Sequence, residues 1–138
     1  IYPSLFYVLS AKAGLKVSYA DGIALTFTSP GKVFSGLVDW LEGNFQVSDL
    51  CRMIEGGDLR FPQEKRQSLP SPLKISRYLK NAMIGWDRER YMPRLETLIK
   101  SIKNNVVSAE QEGEPEKVEK YKENIKEVEW LKSLLEFG

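Results

Sequence analysis

Histidine is absent from this chain of 138 residues, and cysteine occurs once. The first absence removes the commonest general base and the usual zinc ligand, and the second rules out an internal disulfide and a thiolate-based zinc site. Any metal chemistry would fall to carboxylates alone. Cys51 reads as a small apolar residue on a helix face and not as a nucleophile. The one Gly-Lys pair, Gly31-Lys32, runs on into Val33 and lacks the spaced upstream glycine, so no Walker A phosphate loop is present. No Asp or Glu stands two residues before a Lys, which excludes the carboxylate-x-lysine signature of restriction-type nucleases. No apolar run approaches the ~20 residues of a membrane span, and residues 1–9 have neither the basic start nor the cleavage site of a signal peptide. These absences predict a soluble, cytoplasmic chain with no catalytic motif, cofactor or metal of its own. The start at Ile1, without an initiator Met, suggests a piece of a longer polypeptide.

What is present is a hidden asymmetry of charge. The net charge is only +1, yet residues 60–103 hold eleven Lys/Arg against four Asp/Glu, a local +7 offset by −2 before the block and −4 after it. Clustered cations neutralise phosphates and release counterions, so a phosphate-bearing partner is the first expectation. A solvated basic helix face is the plainer alternative. With 42% hydrophobic residues, the length suits one compact domain burying roughly two thirds of its unfolded surface.

The patterning is mainly helical, with about five to six helices and a short N-terminal strand or hairpin. Residues 4–13 read as a helix ended by Gly14. Leu15, Val17 and Tyr19 then alternate with Lys16 and Ser18 as a strand, Asp21-Gly22 is a turn, and residues 24–28 are a second short strand. Val33, Phe34, Leu37, Val38, Trp40 and Leu41 share one face of a helix over residues 31–42, stopped by Gly43. Val47, Leu50, Met53 and Ile54 form the next face, capped by Ser48 and ended at Gly56-Gly57. Residues 57–71 read as a long loop carrying Lys65-Arg66. Ser71-Pro72 is a strong helix start. In the helix that follows, Ile75, Leu79, Ala82 and Met83 face inward, leaving Lys74, Arg77 and Lys80 on an outer stripe beside Tyr78. Gly85 closes it and Asp87 caps another, with Leu95, Leu98, Ile99, Ile102 and Val106 in period. Residues 107–114 read as an acidic connector. Pro115 opens a last helix with the stripe Val118, Tyr121, Ile125, Val128, Leu131 and Leu135 and the pairs Glu116/Lys120, Glu119/Lys122 and Glu129/Lys132, the long arm of an antiparallel helical pair.

Lys65, Arg66, Lys74, Arg77, Lys80, Arg88 and Arg90 are the candidate nucleic-acid contacts. The run Trp86-Asp87-Arg88-Glu89-Arg90-Tyr91 mixes aromatics and arginines at a helix entrance, a composition that stacks bases and grips phosphates. The alternative is a structural cap with Trp86 buried, and that reading is preferred for Trp86. Asp87 and Glu89, two apart, do not face each other on a helix and make no acid/base pair.

In order, the passage from Gly14 through Leu15-Lys16-Val17-Ser18-Tyr19 and Asp21-Gly22, the helix Val33-Phe34-Ser35-Gly36-Leu37-Val38-Asp39-Trp40-Leu41, the segment Val47-Ser48-Asp49-Leu50-Cys51-Arg52-Met53-Ile54, the run Trp86 to Tyr91 and the Leu-rich, charge-laced helical pair resemble a region of UvrD/RecB-type helicases. The likeness is closer to the AddB (RexB) subunits of bacterial helicase-nucleases, where the second RecA-like domain yields a strand and then an inserted helical subdomain. The resemblance implies residues 1–29 as part of a RecA-like domain and residues 30–138 as the helical insert. It implies work in double-strand-break processing and recombinational repair, with DNA, the rest of the parent chain and a partner helicase subunit as partners. The family's ATPase and nuclease motifs lie outside this chain, so none of those residues is carried over. A helical protein-protein interaction or dimerisation module without nucleic-acid contact is the rival reading.

Overall fold

A computed structural model describes residues 2–16, 24, 27–59, 61 and 69–136. Among them are six α-helices, α1 (Tyr2–Lys12), α2 (Ser29–Glu42), α3 (Val47–Glu55), α4 (Pro72–Asn81), α5 (Tyr91–Glu112) and α6 (Pro115–Leu135), with a 3₁₀ turn (Arg88–Arg90) leading into α5. The mainly helical class is observed, but no strand occurs among the described residues. Gly14 is left-handed at φ 70°, and the Leu15 N–H donates back to the Ser10 carbonyl at 2.9 Å. Leu15 therefore closes α1 instead of opening a strand. Residues 17–23 of the expected hairpin lie outside the described residues, as do residues 25–26. The far end of the second expected strand leads straight into α2, where the Thr28 hydroxyl accepts from the Gly31 N–H at 3.1 Å.

The helix starts follow local chemistry. Ser71 Oγ accepts from the Lys74 N–H at 3.3 Å, and Pro72 fills the first helical position, which needs no donor. Pro93 is equally harmless in the first turn of α5. Ser48 does not cap α3; that helix begins at Val47 with Gln46 at the cap position.

Helices α5 and α6 run antiparallel. Lys132 Nζ meets Glu96 Oε1 at 2.6 Å, Lys103 meets Glu129 at 4.0 Å and Lys122 meets Glu110 at 3.5 Å, a ladder in which one sequence number rises as the other falls. Glu129 and Lys132 thus reach across to α5 and not to each other as expected. Helix α5 also continues through the expected connector, because Ala109 is buried and Gly113, left-handed at φ 72°, ends the helix only after Glu112.

Leu95, Ile99 and Ile102 of α5 join Val128, Leu131 and Leu135 of α6, Leu50, Met53 and Ile54 of α3, and Ile75, Tyr78 and Leu79 of α4 in one core. Full burial of each large apolar side chain is worth roughly 1.5–3 kcal/mol. Helix α2 closes onto α3 at Gly36, where an added Cβ would stand 2.6 Å from Met53 Sδ. Trp40 is anchored edge-on between Phe45 (centroids 5.0 Å apart) and Tyr91 (6.3 Å), its Nε1 donating to Tyr91 Oη at 3.3 Å while Tyr91 Oη donates to the Phe45 carbonyl at 2.8 Å. That knot fixes the α2–α3 turn against the start of α5.

Two chain corners sit beside it. Helix α2 ends at Glu42 and is stopped by Gly43, as expected; Asn44 (φ 54°) is then left-handed, and the Phe45 N–H (φ 59°) donates to the Trp40 carbonyl at 2.8 Å. After α4 the expectation fails: Met83 (φ 53°), not Gly85, is the first left-handed residue, and its side chain turns out to solvent instead of inward. The corners are joined by backbone bonds from the Val47 N–H to the Gly85 carbonyl (2.9 Å) and from the Asp87 N–H to the Asn44 carbonyl (2.8 Å).

Candidate nucleic-acid interface

The basic block does not form one uninterrupted outer stripe. Ile75, Tyr78, Leu79 and Ala82, at helical spacings of three and four, are the inward face of α4, so Tyr78 is buried instead of lying beside the cations. Its hydroxyl reaches Glu127 Oε2 at 2.5 Å and Asn124 Oδ1 at 2.9 Å. Burial, and then the Glu127 carboxylate, push the Tyr78 hydroxyl well above the ordinary tyrosine range. Lys74 Nζ binds the same Glu127 oxygen at 2.7 Å and lies 6.0 Å from the centre of the Tyr78 ring. Glu127 is 9% exposed, which places this pair at a protected junction between α4 and α6.

Lys80, two turns along α4, binds Glu55 Oε1 of α3 at 2.8 Å. The hydrogen bond holds the Lys80 ammonium above the ordinary lysine range and the Glu55 carboxyl below the ordinary carboxylate range. Arg77, between them, is exposed. The outer α4 cations are therefore each tied to a neighbouring helix, and the central one faces solvent.

The second group lies at the entrance to α5. Asp87 Oδ1 accepts from the Glu89 N–H at 3.2 Å and sets the 3₁₀ turn, which carries Arg88 and Arg90. Arg88 is exposed, and Arg94, one helical turn beyond Arg90, is exposed on the same side of the helix. Trp86 is 57% exposed, contrary to the buried cap expected, with the Arg90 guanidinium carbon 5.1 Å from its ring centre. The Gly85 carbonyl and the Asp87 N–H are both committed to the α2–α3 corner, so the backbone carries the indole outward. Lys65 and Arg66 lie outside the described residues.

Cys51 is buried, its Sγ 3.8 Å from the Ser76 carbonyl, and burial raises its thiol above the ordinary range. That is a packing role. Among the described residues no group of three or more His, Cys, Asp or Glu is placed to hold a metal ion, and no helix is long and apolar enough to cross a membrane. The two groups offer exposed guanidinium groups, one lysine in an exposed ion pair, and an exposed indole. Sequence reasoning missed Glu55, Glu127 and Asn124 as partners of the block, and Arg94 as its continuation; the helical spacing from Arg90 was the available signal for the last. No protein-family model matches this chain, and no curated protein or solved structure shows a significant match to it.

Proposed function

We propose that this chain is a helical, non-catalytic part of an AddB-like subunit of a bacterial helicase-nuclease, acting in double-strand-break processing and recombinational repair in the cytoplasm. Its role is to hold the phosphate backbone of DNA while ATPase and nuclease centres outside the chain, and a partner helicase subunit, perform the chemistry. The ordered resemblance from Gly14 to Tyr91 supports the family reading. The observation that carries DNA contact is the exposure of Arg77, Arg88 and Arg94 within a block of local charge +7.

Arginine suits this task because its planar fork pairs with two phosphate oxygens. Cations near the start of α5 also sit against the positive end of the helix dipole, an arrangement that costs roughly 0.3–1 kcal/mol in the free protein. An arriving phosphate relieves it. Lys80 is a recruitable fifth cation alongside Arg90, since an exposed ion pair such as Lys80–Glu55 is screened by solvent and holds the lysine only weakly. Lys74 contributes least, because Glu127 holds it at the α4–α6 junction.

Binding to DNA at increasing salt is the test. Neutralising three to four phosphates predicts an affinity loss of roughly 40- to 150-fold between 50 and 200 mM salt for a duplex. Binding that ignores salt, or no binding at all, defeats the proposal. A second reading, a surface for another protein, rests on the exposed apolar side chains of Leu5, Phe6 and Leu9 on α1 and Phe34 and Leu41 on α2. Charge reversal at Arg77 and Arg88 separates the two, since it abolishes DNA binding and leaves an apolar association intact.

A further inference from the structure

We propose that Trp86 is a stacking platform for an unpaired base of single-stranded DNA, with Arg90 behind the ring and Arg88 and Arg94 on the flanking phosphates. This inference rests on the DNA reading above and narrows it to a strand whose bases are open.

Tryptophan is normally among the most buried side chains, and its removal from water is strongly favourable. Trp86 instead stays 57% exposed, although Trp40 and Tyr91 of the neighbouring corner are buried. The exposure is not that of a loose loop tip. Residues on both sides of Trp86 are hydrogen-bonded to the α2–α3 corner, and Asp87 is held at φ 78°, a backbone conformation unfavourable for a residue with a Cβ. Strain of this kind, kept in place by the surrounding structure, collects at ligand-binding positions.

Arg90 covers one side of the indole at 5.1 Å. The exposed remainder of the ring is available to a second flat group, and a nucleobase on an arginine-backed aromatic is the stack used by proteins that bind single strands. The phosphates on either side of that base meet Arg94 on α5 and Arg88 on the preceding 3₁₀ turn. Asp87 and Glu89 interleave with those arginines, so phosphate attraction alone is modest here: residues 86–94 carry three arginines against two carboxylates. The aromatic surface therefore supplies what the charge does not. Inside a duplex every base face is already stacked, which leaves single strands and frayed ends as ligands.

The full chain is titrated with a short oligothymidylate, an abasic oligomer of the same length, which has the phosphates without the bases, and a duplex. Oligothymidylate is expected to bind roughly 5- to 150-fold tighter than the abasic oligomer. It should quench a component of the tryptophan emission that is missing in Trp86→Phe. Trp86→Ala should abolish the preference for bases, and Trp86→Phe should keep most of it. Equal wild-type affinity for the oligothymidylate and abasic strands, or a preference that survives Trp86→Ala, overturns the inference. If that equality comes with steep salt dependence, stacking fails and the backbone reading stands. If no nucleic acid binds, both fail.

Discussion

Lys74 and Tyr78, one turn apart on α4, converge on a single carboxylate oxygen of Glu127, at 2.7 Å and 2.5 Å. The carboxylate is 9% exposed, while the Lys74 side chain keeps about a third of its surface in water. Loss of the two partners is therefore unequal. Glu127→Ala should destabilise the fold by about 1–3 kcal/mol, because it removes the acceptor shared by Lys74 and the buried Tyr78 hydroxyl, which is left with Asn124 alone. Lys74→Met should cost less than about 1 kcal/mol. Urea unfolding followed by circular dichroism measures both. Equal costs would mean that the lysine, and not the buried oxygen, organises the junction.

Alkaline pH should weaken the protein through its tyrosines. Burial pushes the Tyr91 hydroxyl up to about 12, against the opposing influence of the Trp40 Nε1 donor, from an ordinary value of 10. Between those two values the unfolded chain has released a proton that the folded one retains, so stability falls as pH rises. The loss from Tyr91 is on the order of 2–3 kcal/mol and is complete above the folded value. Tyr78, also raised, adds to it in the same direction. Tyr91→Phe should start lower by about 1 kcal/mol, for want of the bond to Phe45, and then decline less steeply. Denaturant midpoints taken from neutral pH upward give the comparison; parallel curves would contradict the assignment.

Gly36 should not tolerate alanine. The new Cβ would stand 2.6 Å from Met53 Sδ and 3.0 Å from its Cγ, and Met53 is 1% exposed, without room to swing aside. Overpacking of this kind costs typically about 1–3 kcal/mol. Met53→Ala is destabilising alone but should be less so when combined with Gly36→Ala, since truncating Met53 vacates the space that the new Cβ needs and the new Cβ part-fills it. A double-mutant cycle in thermal unfolding reads the coupling, and strict additivity would show that α2 and α3 adjust elsewhere.

Features of the fold that depend on neighbours in sequence were legible before the structure. Ser71-Pro72 and Pro115 mark helix starts through their own backbone chemistry, and the antiparallel arm was visible in the apolar stripe of α6. The strand expected after Gly14 does not open at Leu15, because the Leu15 N–H is taken by a helix-closing bond to the Ser10 carbonyl, a partner that the alternation of Leu15, Val17 and Tyr19 does not reveal. The length of α5 escaped notice because its last turns are polar and only Ala109 packs. Tyr78 carries a polar handle whose partners stand 46 and 49 residues away, so its burial left no local mark. The same holds for the candidate interface. The cations were plain in the composition, but Glu55 and Glu127, which remove two of them from the free surface, are brought in only by tertiary packing. The outward placement of Trp86 is set by bonds to Gly85 and Asp87 from residues some forty positions upstream.

That last linkage makes the corner at residues 44–47 a splint for the indole. Because the α2–α3 turn is itself clamped by Trp40, Phe45 and Tyr91, loosening any of these rings would let the splint slip. The amides of Val47 and Asp87 would then gain solvent deuterium together, with the indole's emission drifting in step, although none of the three rings lies on the exposed surface it supports.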